Sequence, residues 1–261
     1  MLKVTEEKNI VIVSLDRPDV RNSFHPEMIQ KITETFVGLS ARKDLRSIVL
    51  SGEGSVFCAG ADLNWMKDMA KYTLEQNQQD SEKLFQMFEA IWACPVPVIG
   101  VVQGAAFGGA LGLMAVCDHV IVQEKTQLCF SEVKIGLVPA VISAFILRKC
   151  TAGVMLPLML SGRVFSGQEV LGSGLVHEVA SEAHMAQALG HTISFYQEAA
   201  PEALRETKNL VRNVMSSDWS DHQKETTRVI AERRVSSEGQ EGLKCFFEKK
   251  NPWWKNQAGS Q

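Results

Sequence analysis

Hydrophobic positions in the first half of the chain gather into short, β-branched runs. Asn9 to Leu15, Ser47 to Leu50, Val96 to Val102, His119 to Val122 and Leu128 to Phe130 each have the length and apolar density of a buried strand. Between them, Pro26 to Leu39 and Thr73 to Trp92 repeat apolar residues at helical spacing. Pro26 suits a first helical turn, and Pro95 and Pro97 close the second segment. Such alternation predicts an α/β layered core. After about Val141 the strand signal fades, and Glu202 to Met215 and Ser220 to Arg234 read as amphipathic helices. The pattern predicts a core over residues 1–195 and a helical appendage over residues 196–261. The run Gly242 to Phe247 would expose aromatics there unless it packs on the core or on another subunit.

Composition narrows the partners. With 45% hydrophobic residues and 22% charged, the 261 residues have ordinary globular content, and the net charge of −3 comes from scattered side chains. No basic face marks a nucleic-acid binder, so a small molecule is the expected partner. The six cysteines form no CxxC pair and lie mostly in apolar runs, as reduced core residues of a cytoplasmic protein do. The six histidines show no metal-ligand spacing, so no metal is expected. The N-terminus enters a strand pattern at once, which predicts neither a leader nor a membrane span.

Three segments carry candidate chemistry. In Phe57-Cys58-Ala59-Gly60-Ala61-Asp62-Leu63, small residues leave backbone N–H groups uncovered. The plainer reading is a tight turn with Asp62 as a helix cap. In Gln103 to Leu113, a Gly-rich turn between a strand and a helix aims free N–H groups and a helix dipole at one spot, although GxGxxG and GKS patterns are absent. Glycine at a crowded packing site would look the same. In Phe130 to Pro139, Glu132 has apolar neighbours, and burial would raise its pKa toward the range of a general base or acid. Capping, or a salt bridge to Lys134, is the structural alternative.

Together, FCAGADL, QGAAFGGALGLMAVCD and FSEVKIGLVPA, in this order, resemble the enoyl-CoA hydratase/isomerase (crotonase) superfamily. Leu15-Asp16-Arg17-Pro18, Arg21-Asn22-Ser23-Phe24, Leu160 to Arg163 and Gly174 to Val179 extend the resemblance over nearly the whole chain. It implies a crotonase-like layered sheet-and-helix core with a C-terminal helical oligomerisation segment, in a homotrimer or a dimer of trimers. It implies an acyl-CoA thioester substrate, with coenzyme A as part of that substrate and no separate cofactor. By this resemblance Ala61 and Gly109 supply the two N–H donors to the thioester oxygen, and Glu132 is the catalytic carboxylate. Ala59, Ala61, Asp62, Leu63, Gly108 and Gly109 would line the CoA and acyl site. Phe246 and Lys249 fall where the family's C-terminal helix touches the nucleotide, often from a neighbouring subunit.

One departure matters. Many hydratases of this family carry a second glutamate three residues beyond the oxyanion glycine, on the same helix face, and that position is Gly112. The surrounding residues are similar to bacterial methylglutaconyl-CoA hydratases of leucine degradation, and to isohexenylglutaconyl-CoA hydratases of acyclic terpene degradation. A Δ3,Δ2-enoyl-CoA isomerase, which needs one carboxylate, and a non-catalytic acyl-CoA or RNA-binding member remain as alternatives. A glutaconyl substrate needs a cation for its distal carboxylate, with Arg148, Lys149 and Arg163 as candidates.

Overall fold

The computed structural model describes residues 1–256. Its strands are β1 (Leu2–Glu7), β2 (Ile10–Leu15), β3 (Ser47–Gly52), β4 (Val98–Val102), β5 (Ala105–Phe107), β6 (His119–Gln123), β7 (Gln127–Cys129), β8 (Phe165–Ser166) and β9 (Glu178–Ala180). Helices alternate with them: α1 (Pro26–Ser40), α2 (Leu63–Met69), α3 (Leu74–Ala93), α4 (Gly109–Val116), α5 (Ala140–Lys149) and α6 (Ala152–Ser161). A helical run follows in α7 (Met185–Glu198), α8 (Pro201–Ser216), α9 (Trp219–Val235), α10 (Ser237–Glu248) and α11 (Trp253–Asn256). The α/β class expected from the strand–helix alternation is present.

The chain divides into two compact units. The first takes Met1–Cys94 and Val98–Leu189; the second takes Pro95–Pro97 and Gly190–Gln261.

In the first unit, a six-stranded sheet runs β1-β2-β3-β4-β6-β9, with β1 antiparallel to β2 and every later pair parallel. Ile48, Val49 and Leu50 of β3 and Val98 and Ile99 of β4 are fully buried, as strands covered on both faces must be. Pro97 delays β4 to Val98, since proline cannot donate to a ladder; the Val98 N–H donates instead to Asp118 Oδ2 at 2.7 Å. β8 and β9 escaped the hydrophobic pattern because two or three residues are too few to show a period.

A second sheet, β5-β7-β8, lies downstream of the first along each pass of the chain. β4 leads within three residues to β5, and β6 within four to β7. β3 leads to Cys58, which bridges Ala106 of β5 in parallel. The strand predicted over Leu128 to Phe130 is β7, and it ends at Cys129 as the chain leaves the sheet.

In the second unit, Glu238 of α10 is buried and accepts from the N–H groups of Glu202 (2.9 Å) and Ala203 (2.8 Å). It thereby satisfies orphan donors at the start of α8, where a negative charge also meets the positive end of the helix dipole. Arg233 neutralises it at 2.8 Å. Lys208 Nζ donates to Val96 O at 3.1 Å, which ties the Pro95–Pro97 segment to α8.

Candidate active site

The second sheet sets the register of the site. Cys58, Ala106 and Leu128 stand side by side, Cys58 bridging Ala106 and Ala106 pairing with Leu128. Three residues further along each pass come Ala61, Gly109 and Ser131, with Glu132 next. Parallel pairing therefore delivers the three segments that carry candidate chemistry to the C-terminal end of these paired segments, although they are spread over about seventy positions of sequence.

Ala61 is aimed by its neighbours. Phe24 N–H donates to Gly60 O at 2.7 Å, and Asp62 N–H donates to Phe24 O at 2.8 Å. In the trans Gly60–Ala61 peptide the C=O and N–H point in opposite directions, so the Ala61 N–H faces away from Phe24. It has no acceptor among the described residues. Gly60 has φ +90, and a Cβ there would lie 2.9 Å from Phe107 O, so only glycine lets the loop approach β5 this closely.

The segment that holds this loop, Arg17 to Phe24, has no chemistry of its own. Arg17 donates to Ser23 O at 2.7 Å and pairs with Asp62 Oδ2 at 2.9 Å. Asn22, fully buried, donates to Glu53 O and Val56 O and accepts from Arg17 N–H. Asp62 caps α2 by accepting from Asn64 N–H at 2.9 Å. Burial alone would raise its pKa, but the bonds from Asn64 N–H and the Arg17 guanidinium outweigh burial and hold it below the ordinary aspartate value. The capping reading of Asp62 is what the structure shows for its side chain.

Gly108 and Gly109 turn β5 into α4. Gly108, at φ +54, donates to Cys129 O at 2.9 Å and so fastens the turn to the end of β7. Gly109 is the first residue of α4; its N–H has no intrahelical partner and no other acceptor among the described residues. A Cβ on Gly109 would come 3.2 Å from the Phe24 ring, so Phe24 borders both the Ala61 and the Gly109 segments.

Glu132 begins a short 3₁₀ turn (Glu132–Ile135). A Cβ on Gly108 would lie 3.3 Å from Glu132 Oε1, which places the carboxylate against the glycine turn. Glu132 Oε2 is buried and accepts no hydrogen bond, and no ion pair to Lys134 forms. Burial pushes the carboxyl pKa above its ordinary value, opposed only by its own backbone N–H. A half-buried acid without a cation partner is poised to exchange a proton with something in the site.

Comparison with known proteins then bears on this geometry. A model described as "Enoyl-CoA hydratase/isomerase" matches residues 5–257. "Enoyl-CoA hydratase ACTT6" of Alternaria alternata is 32% identical over 97% of this chain and 83% of its own. A crystal structure of an enoyl-CoA hydratase from Shewanella pealeana shares 35% identity over 97% of this chain and 95% of its own, with a TM-score of 0.91. Pseudomonas aeruginosa AtuE is 27% identical over 97% and 99%, with a TM-score of 0.94. The chain belongs to the enoyl-CoA hydratase/isomerase family.

Within that family the gap at Gly112 acquires a shape. Gly112 is buried in α4, and a Cβ there would fall 2.6 Å from both Ile142 Cγ2 and Phe88 Cζ. The helix face on which many family members carry a second glutamate is therefore filled by α5 and α3 side chains. Both readings of the glycine-rich segment hold, at different residues: Gly109 leaves an N–H free, and Gly112 permits close packing.

The remaining candidates fall on several elements. Ala59 is half-buried and donates to Arg21 O at 3.0 Å, whereas Leu63 is 74% exposed at the start of α2. Phe246 and Lys249 belong to the second unit; Phe246 is 76% exposed, and Lys249 ends α10 with φ 55. Of the three cations, Arg163 pairs with Glu169 at 2.8 Å, Lys149 donates to Cys117 O, and Arg148 lies over the Trp92 ring at 5.4 Å. Among the described residues, no group of three His, Cys, Asp or Glu could hold a metal ion, and no helix is long and apolar enough to cross a membrane.

Proposed function

We propose that the protein adds water across the double bond of an enoyl-CoA, with 3-methylglutaconyl-CoA as its substrate. The observation that carries this reading is the half-buried Glu132, whose Oε2 is buried without a partner, against the same turn that holds the free Gly109 N–H. The thioester oxygen sits between the N–H groups of Ala61 and Gly109, each worth about 3–4 kcal/mol to the enolate that forms there. Glu132 takes a proton from water, the hydroxyl oxygen bonds to Cβ, and the π electrons move onto the thioester oxygen. The enolate collapses as Cα takes the proton that Glu132 received. No cofactor enters beyond the CoA of the substrate.

The names of the relatives support hydration as the class of reaction, and the glutaconyl substrate rests on the sequence likeness alone. Incubation with 3-methylglutaconyl-CoA in ¹⁸O-water tests it: the expected product is 3-hydroxy-3-methylglutaryl-CoA carrying one heavy oxygen. Isomerisation is the second reading, favoured by the packed face at Gly112, because a 1,3-proton shift needs one base and no held water. Unlabelled double-bond isomers as the sole product from a panel of enoyl-CoA esters would replace the first reading with the second.

A further inference from the structure

We infer that the Ser131 hydroxyl holds the water that Glu132 activates, taking the place of a second carboxylate; the inference rests on the hydratase reading. With the face at Gly112 closed by Ile142 and Phe88, a water beside Glu132 needs another polar group to fix its orientation. One carboxylate oxygen alone leaves the water free to turn its lone pair away from the reacting carbon.

Ser131 is placed for this by the same register that places the donors. It stands three residues past Leu128, as Gly109 stands three past Ala106 and Ala61 three past Cys58. It is half-buried. A Cβ on Gly108 would lie 3.5 Å from Ser131 Oγ and 3.3 Å from Glu132 Oε1, and these two oxygens are the nearest atoms it would meet. Glycine at 108 thus lets one hydroxyl and one carboxylate converge on the same side of the turn.

The hydroxyl is also unspent. Ser131 occupies the N-cap position of the 3₁₀ turn, where serine ordinarily accepts from a backbone N–H, yet it makes no capping bond. Its Oγ has no hydrogen-bond partner among the described residues. A serine at a cap position that caps nothing, and faces the catalytic turn instead, is available to a ligand.

In the step itself, one water proton passes to Glu132 and the oxygen lone pair forms the C–O bond to Cβ. The second water proton is donated in a hydrogen bond to Ser131 Oγ and stays on the product hydroxyl. Ser131 neither gains nor loses a proton.

The test separates water addition from enolate chemistry. Hydration of 3-methylglutaconyl-CoA is measured beside solvent-deuterium exchange at Cα of the saturated 3-methylglutaryl-CoA, which needs Glu132 and the oxyanion donors but no added water. Ser131→Ala is expected to lower kcat for hydration by about 10- to 100-fold, with KM and the exchange rate within about threefold of wild type. Ser131→Thr restores most of the hydration. Ser131→Cys, close in size but a poor hydrogen-bonding group, carries the same comparison if the alanine variant loses its fold. Hydration within threefold of wild type in Ser131→Ala overturns the inference and leaves the hydratase reading standing. Hydration and exchange falling together also overturn it, since Ser131 would then act on the Glu132 frame. A wild-type enzyme that exchanges Cα protons but adds no water overturns the hydratase reading, and the inference with it.

Discussion

Ile142 stands where a side chain on Gly112 would have to go: a Cβ there would come within 2.6 Å of Ile142 Cγ2. The Phe88 ring closes the space from the other side at 2.6 Å. Alanine normally gains about 1 kcal/mol over glycine inside a helix, but forcing a methyl into a packed core costs about 1–3 kcal/mol. Gly112→Ala is therefore expected to be neutral to destabilising by about 2 kcal/mol in urea unfolding. Ile142→Ala should cost less in that background than alone, because each change makes room for the other. Additive costs would mean that the two side chains do not compete for one space.

The Arg17–Asp62 pair anchors the loop next to Ala61, with side-chain exposures of 19% and 10%. A helix cap alone would make Asp62→Asn almost silent, since asparagine caps as well as aspartate. Here the change also removes the carboxylate from a half-buried guanidinium, so a loss of about 1–3 kcal/mol is expected. Because the folded pKa of Asp62 is depressed, its contribution is present above the ordinary aspartate value and fades as pH falls toward the folded one. The gap in melting temperature between wild type and Asp62→Asn should accordingly narrow in acid. A gap unchanged from pH 7 down to pH 3 would remove the ion pair from the explanation.

Much of this arrangement was legible in the sequence. The long strands and helices showed their periods, and the helix pattern from Pro26 to Leu39 became α1 with one residue added. Two segments with uncovered backbone and one with a lone acid, Glu132, stood out, and the family resemblance picked Ala61 and Gly109 within the first two. The scaffold that aims them was not legible. Phe24, Arg17 and Asn22 act through hydrogen bonds to residues more than thirty positions away, Arg17 by its side chain on the Asp62 carboxylate, and only tertiary pairing reveals such partners. Ser131 carried no role in the sequence because its register with Gly109 depends on β5 pairing β7, which three-residue strands do not announce. That the face at Gly112 is filled follows from α3 and α5 meeting on α4, and the missing glutamate gave no hint of it.

The second unit exposes apolar surface that water does not favour. Phe246 and Phe247 of α10 are 76% and 75% exposed, and Val235 at the end of α9 is 79% exposed. Side chains of this size in one helical hairpin suit a contact between copies of the chain. Sedimentation at micromolar concentration is expected to give a trimer or a pair of trimers, and Phe246→Ser with Phe247→Ser to shift it toward monomer. A wild-type monomer would end the trimer proposal.

Glu132 ties stability to catalysis with opposite signs. Its folded pKa is raised by burial, so the neutral acid suits the fold and the charged form does not. The penalty is absent below the unfolded glutamate value and grows as pH rises through the folded pKa. Glu132→Gln keeps the shape without the charge, and is expected to melt higher than wild type at pH 7 while matching it at pH 4. Catalysis needs the charged form as base, so wild-type kcat should rise with pH along a limb centred above the ordinary carboxylate value. The glutamine variant should lose about 10²–10⁴ in kcat, and lose that limb with it. Stability and activity then trade against one another at a single carboxylate. A variant that is less stable at pH 7 yet equally active would show that Glu132 is held by a partner rather than left uncompensated for the reaction.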